Sequence, residues 1–102
     1  METVTMGDVV YIPVDAESGE PYLWGSSEEP CITVFGDFWR CRRSVETKGK
    51  AIRAVALEDL PELLDGRWSH VAEISYRPGA DGYAFSTGKV KEQAAAYVAE
   101  MS

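Results

Sequence analysis

No lysine or arginine occurs before Arg40. The stretch ahead of it holds eight carboxylates (Glu2, Asp8, Asp15, Glu17, Glu20, Glu28, Glu29 and Asp37) and no side-chain cation. Histidine is nearly absent, with His70 alone, and the two cysteines, Cys31 and Cys41, form no C-x-x-C pair. Two cysteines and one histidine fall short of four zinc ligands unless a carboxylate joins them. No apolar run nears the roughly 18 residues that a membrane span requires. The opening Met1-Glu2-Thr3-Val4-Thr5-Met6 is acidic and lacks the apolar stretch of a signal peptide. Repeats, linkers and low-complexity tracts are also missing. These absences argue against a metal centre, a cofactor and a membrane anchor. With so few cysteines and no export pattern, a reducing cytoplasm is the expected compartment.

What is present is charge, sorted along the chain. Residues 40–53 reverse the sign with Arg40, Arg42, Arg43, Lys48, Lys50 and Arg53 against Glu46, and residues 54–65 return to acid with Glu58, Asp59, Glu62 and Asp65. The net charge of −7 hides that segregation. Segregated charge steers encounters and selects partners without determining a fold. A pI near 4.6 disfavours general attraction to phosphate backbones or anionic membranes. The chain of 102 residues, 45% hydrophobic, suffices for one domain spanning residues 1–102 around one core.

Periodicity supplies the elements. Val9 to Val14 is β-rich, and Pro13, which cannot donate to a ladder, is expected to place this strand at an edge or to end it. Asp15 to Pro30 reads as a turn-rich loop interrupted by Tyr22-Leu23-Trp24, whose aromatics either fold onto the core or face a partner. Residues 31–57 read as a three-stranded meander turning at Gly36-Asp37, with glycine at positive φ, and at Lys48-Gly49. In that register Ile32 and Val34 share a face with Trp39, Cys41, Val45 and Ile52 that is apolar apart from Arg43. Thr33, Phe35, Phe38, Arg40, Arg42, Ser44 and Arg53 occupy the other. Asp59-Leu60-Pro61-Glu62 looks like a capped start to a short helix stopped by Gly66, near 59–65. Trp68, His70, Ala72, Ile74 and Tyr76 alternate as in a half-buried strand, with a helix as the competing reading. Asp81-Gly82 turns into a short strand, Tyr83-Ala84-Phe85. A helix near 88–101, capped by Ser86 or Thr87, carries the stripe Val90, Ala94, Tyr97, Val98 and Met101, expected in the core. The fold class is therefore α+β: a small, mainly antiparallel twisted sheet with a short helix and a C-terminal helix. The run Gly7-Asp8-Val9-Val10-Tyr11-Ile12-Pro13 is also compatible with a partly open, SH3-like barrel, a pattern too common to carry function.

No motif assembles a catalytic constellation, so the chain reads as non-enzymatic. In the meander register the two cysteines face opposite ways and are expected as buried free thiols. His70, beside Trp68 on an apolar face, reads as a structural residue. Gly82 to Lys89 fails as a phosphate loop, because five residues rather than four separate Gly82 from Gly88 and Val90 follows Lys89. Two interaction surfaces are left. Asp15, Glu17, Glu20, Glu28 and Glu29 with Tyr22 and Trp24 would dock a basic protein surface, that of a nucleic-acid-binding protein for example. A domain of this kind suits an inhibitor, of phage type or regulatory, that presents carboxylates where phosphates would lie. The alternative is a face of Phe35, Phe38, Arg40, Arg42 and Arg53 that stacks and pairs single-stranded nucleic acid. Flanking acids would compete with phosphate for those arginines, so direct nucleic-acid binding is the less favoured of the two.

Overall fold

Hydrophobic alternation in four of the strands sets the architecture. The computed structural model describes residues 6–44, 50–79 and 81–101. Its strands are β1 (Val9–Asp15), β2 (Trp24–Gly25), β3 (Pro30–Phe35), β4 (Lys50–Ala56), β5 (Glu73–Arg77) and β6 (Tyr83–Ser86). They form one mixed sheet in the order β4-β1-β3-β5-β6, with β2 added to β3. All pairs are antiparallel except β3 with β5. The sheet is not closed into a barrel. Val10, Ile12 and Val14 of β1, Ile32 and Val34 of β3, Ile74 and Tyr76 of β5 and Phe85 of β6 are buried on one face. Period-2 alternation puts them there, each worth about 1.5–3 kcal/mol when fully buried.

Two helices cover that face. A 3-10 turn at Leu57–Asp59 leads into α2 (Leu60–Asp65), and α3 spans Thr87–Met101. Leu57, Leu60, Leu64, Trp68, Val90 and Ala94 complete the core. Pro61 lies in the first turn of α2 and Gly66 terminates it, but Asp59 makes no capping bond and is itself helical. The 3-10 turn has taken the place of the expected capping box. Ser86 caps α3, its hydroxyl accepting the Lys89 N–H at 3.1 Å. Val90, Ala94 and Tyr97 of the expected stripe pack inward, whereas Val98 is 41% exposed and so is not a core residue. The Met101 side chain lies outside the described residues.

The meander expected over 31–57 is replaced by strand, helix, strand. Its middle segment forms α1 (Phe38–Ser44). Asp37 caps it by accepting the Trp39 N–H at 3.2 Å, and Arg42 and Arg43 in the last turn suit the negative end of the helix dipole. Phe38 and Cys41, three apart, point at the sheet: Phe38 meets Tyr11 edge-on at 5.6 Å and Cys41 is fully buried. Gly36 is not at positive φ. It is required by crowding, because a Cβ there would lie 2.9 Å from the Tyr76 hydroxyl and 3.1 Å from the Pro78 Cα. The turn expected at Lys48-Gly49, and Val45, lie outside the described residues.

Pro13 does not put β1 at an edge, since β1 lies between β4 and β3. The reason is a split in the sheet. β1 and β3 share one paired position, Tyr11 with Phe35. Beyond it they diverge, and residues 20–25 fill the gap. The Tyr22 N–H donates to the Pro13 carbonyl at 3.1 Å, the Glu20 carbonyl accepts the Asp15 N–H at 2.8 Å, Pro21 bridges Val14, and Trp24 pairs with Cys31. N–H and C=O of one strand residue point the same way, so the missing Pro13 N–H faces this opening rather than β4. The strand expected over 68–77 shortens to β5, and Trp68 to His70 form turns. Trp68 is buried beneath the Arg53 guanidinium, 5.5 Å from its ring. His70 is exposed, not on an apolar face. No helix among the described residues is long and apolar enough to cross a membrane.

Candidate functional site

The residues filling the split generate two adjoining surfaces, an acidic end and an open groove. The acidic end is built by two tight turns. Asp15 Oδ1 accepts the N–H groups of Glu17 and Ser18, both at 2.9 Å, and these bonds hold the Asp15 carboxyl below the ordinary carboxylate range. Gly19, at φ 74°, closes that turn. In the second turn the Ser26 hydroxyl accepts the Glu29 N–H at 3.0 Å, and Gly25 sits at φ 88°, where an added Cβ would meet the Glu29 carbonyl oxygen at 3.0 Å. Arg67, from beyond α2, clamps the first turn by donating to Glu20 Oε1 at 3.3 Å and to the Ser18 carbonyl at 2.9 Å.

The five expected acids therefore divide. Asp15 builds its turn and Glu20 pairs with Arg67. Glu17, Glu28 and Glu29 are exposed and have no ion-pair partner among the described residues. Tyr22 is half-buried, whereas Leu23 and Trp24 are 45% and 50% exposed. Trp24 is held by β2 pairing and by donation of its Nε1–H to Thr33 Oγ1 at 3.0 Å. Leu23, Trp24, Pro30 and His70 border a shallow cleft of about 440 Å³. The loop aromatics thus neither enter the core nor swing free.

The groove lies on the sheet face away from α2 and α3. There α1 covers the end bearing Tyr11 and Phe35 and leaves the rest open. The groove has a volume of about 460 Å³. Tyr22, Trp24 and Phe35 line it with rings, Thr33, Ser44 and Ser75 with hydroxyls, and Lys50 and Arg77 with cations. The Lys50 ammonium rests 4.6 Å from the centre of the Tyr22 ring.

The aromatic–arginine face expected from the meander is not assembled. Phe35 is buried, Phe38, Arg40 and Arg42 ride on α1, and Arg53 projects from β4 to the opposite side of the sheet over Trp68. Register decides this: Arg53 pairs with Ile12, a core residue, and antiparallel partners share a face. Arg40 lies 3.9 Å from Asp37. The cysteines no longer face opposite sides of a hairpin, because one is on β3 and the other on α1. Both are buried and unbridged. Desolvation raises the Cys31 thiol, with Glu73 and Glu29 adding to it, and pushes Cys41 up to about 11.

Leu23, Thr33, Lys50, Ser75 and Arg77 were not singled out from the sequence. Thr33 and Ser75 are the outward members of alternating strands and stand opposite each other across β3 and β5, a parallel pairing that no local pattern announces. No group of three or more His, Cys, Asp or Glu side chains among the described residues could hold a metal ion. No protein-family model matches the chain, and no curated protein matches its sequence.

Proposed function

We propose that the chain is a non-enzymatic interaction domain whose 15–29 end docks a basic protein surface. One observation carries this reading: Leu23 and Trp24, 45% and 50% exposed, border one cleft, Trp24 held there by its pairing with Cys31, in a stretch whose Glu17, Glu28 and Glu29 are exposed. An aromatic and aliphatic centre with a charged rim is the arrangement that concentrates binding energy in protein interfaces. Three exposed carboxylates in the same stretch, without ion-pair partners among the described residues, favour a cationic partner and speed its approach. A partner that normally grips phosphate would find carboxylates in the same positions, which suits an inhibitor of nucleic-acid binding.

The test begins with a partner captured from the native source and purified. Replacing Glu17, Glu28 and Glu29 by Gln should slow association and flatten its salt dependence, while Leu23→Ala should speed dissociation. Melting temperature should stay level, since none of the four is in the core. Full affinity of the triple Gln variant at low salt would remove the acidic end from the interface.

A further inference from the structure

We propose that the open groove on the second sheet face is a site for a mononucleotide, a planar base carrying one phosphate. It adjoins the acidic end and shares Trp24 with it, but does not rest on the docking reading. The chain has 17 acids against 10 lysines and arginines. Yet among the described residues that line this groove there are two cations, Lys50 and Arg77, and no carboxylate. Neither cation forms an ion pair among the described residues. In so acidic a molecule, two cations that form no ion pair and face an open groove are the complement of an anion.

The rest of the lining specifies what the anion is attached to. Tyr22 and Trp24 offer ring faces, and every base has a π-face to set against them. The Trp24 ring is oriented in advance by its bond to Thr33, which leaves the Thr33 hydroxyl hydrogen free to donate. Ser75, opposite Thr33, supplies a second hydroxyl at the groove floor. Arg77 lies two residues further along β5 on the same face, and its planar fork matches a phosphate. Lys50 already rests on an aromatic ring and can leave it for a phosphate or ribose oxygen. The groove, about 460 Å³, lies at the small end of ligand sites. The molecule's net charge of −7 opposes a long polyanion far more than a mononucleotide.

Titration with the four common nucleoside 5′-monophosphates, followed by tryptophan fluorescence and calorimetry, tests this. At least one should bind saturably below about 1 mM, a binding free energy of about −4 kcal/mol. The matching nucleoside and inorganic phosphate should each bind at least tenfold more weakly. Arg77→Gln and Lys50→Gln should each weaken binding by fivefold or more with an unchanged melting temperature, and Trp24→Phe should remove most of the fluorescence response while binding persists. The triple Gln variant of the acidic end should bind the nucleotide as well as the native chain or better, so loss of docking and loss of nucleotide binding are separately visible. Three results overturn the proposal: no saturable monophosphate binding, equal binding of inorganic phosphate, or affinity unaffected by both cation replacements. Binding of a short single-stranded oligonucleotide where every monophosphate fails would also overturn it.

Discussion

At the scale of single residues, the same side-chain type plays unlike parts according to which hydrogen-bond donors surround it. Asp15, Glu20 and Glu28 sit within one acidic stretch, yet the first is a turn-builder, the second is clamped by Arg67 and the third faces solvent. Composition gave no means of separating them, because the donors to Asp15 are backbone N–H groups and Arg67 is far off in sequence. The pH consequence follows from the direction of the Asp15 shift. Its carboxyl is held below its ordinary unfolded value by the N–H groups of Ser18 and Glu17. Its stabilising effect is therefore complete above that unfolded value and is lost as pH falls through the lower folded one. Asp15→Asn keeps an oxygen acceptor for the turn and cannot titrate. It should melt close to the native temperature at pH 7 and lose less stability than the native chain below about pH 4. A variant that loses as much in acid as the native chain would show that Asp15 does not contribute to acid unfolding.

At the scale of elements, legibility followed the reach of the information each element needs. β1, α2 and α3 carry their periods and stops locally, and their positions were readable. The segment Phe38-Trp39-Arg40-Cys41-Arg42-Arg43 alternates apolar and charged residues in part, which suggested a strand. Its Asp37 cap and the Phe38 to Cys41 spacing, which favour a helix, are the signals that prevailed. The exposure of Val98 was missed for a related reason: a helical stripe predicts a direction, whereas the elements α3 packs on, which are α2, the 3-10 turn and β6, decide how far along the stripe burial continues. A pair of substitutions checks this. Val90→Asp, at a fully buried site, should cost about 3 kcal/mol or more. Val98→Asp, at a site 41% exposed, should stay within roughly 1 kcal/mol. Equal losses in thermal or urea unfolding would contradict the packing of α3.

At the scale of the whole molecule, the charge map seen in the sequence is only partly neutralised. Among the described residues three ion pairs occur, Arg40 with Asp37, Arg67 with Glu20 and Lys91 with Asp65, and all are solvent-exposed. Exposed pairs contribute about 0–1 kcal/mol each, so mutual repulsion at net −7 is the larger electrostatic term. Raising salt from about 10 mM to about 200 mM shortens the screening length from roughly 30 Å to under 10 Å. The melting temperature should therefore rise over that interval. A fall would mean that internal pairing outweighs repulsion. The groove was invisible at this scale for a reason of topology. Lys50 and Arg77 belong to strands that are not neighbours, and only the order β4-β1-β3-β5 turns their side chains over one another's ground.

The split between β1 and β3 has a consequence for communication. Tyr22 lines the groove, Leu23 borders the cleft at the acidic end, and Trp24 belongs to both. Three consecutive residues of one extended strip thus serve two surfaces, and the backbone bonds that anchor the strip hold both at once. Ligands bound on both surfaces would contact the same strip, and any coupling between them would alter each one's affinity by the same factor.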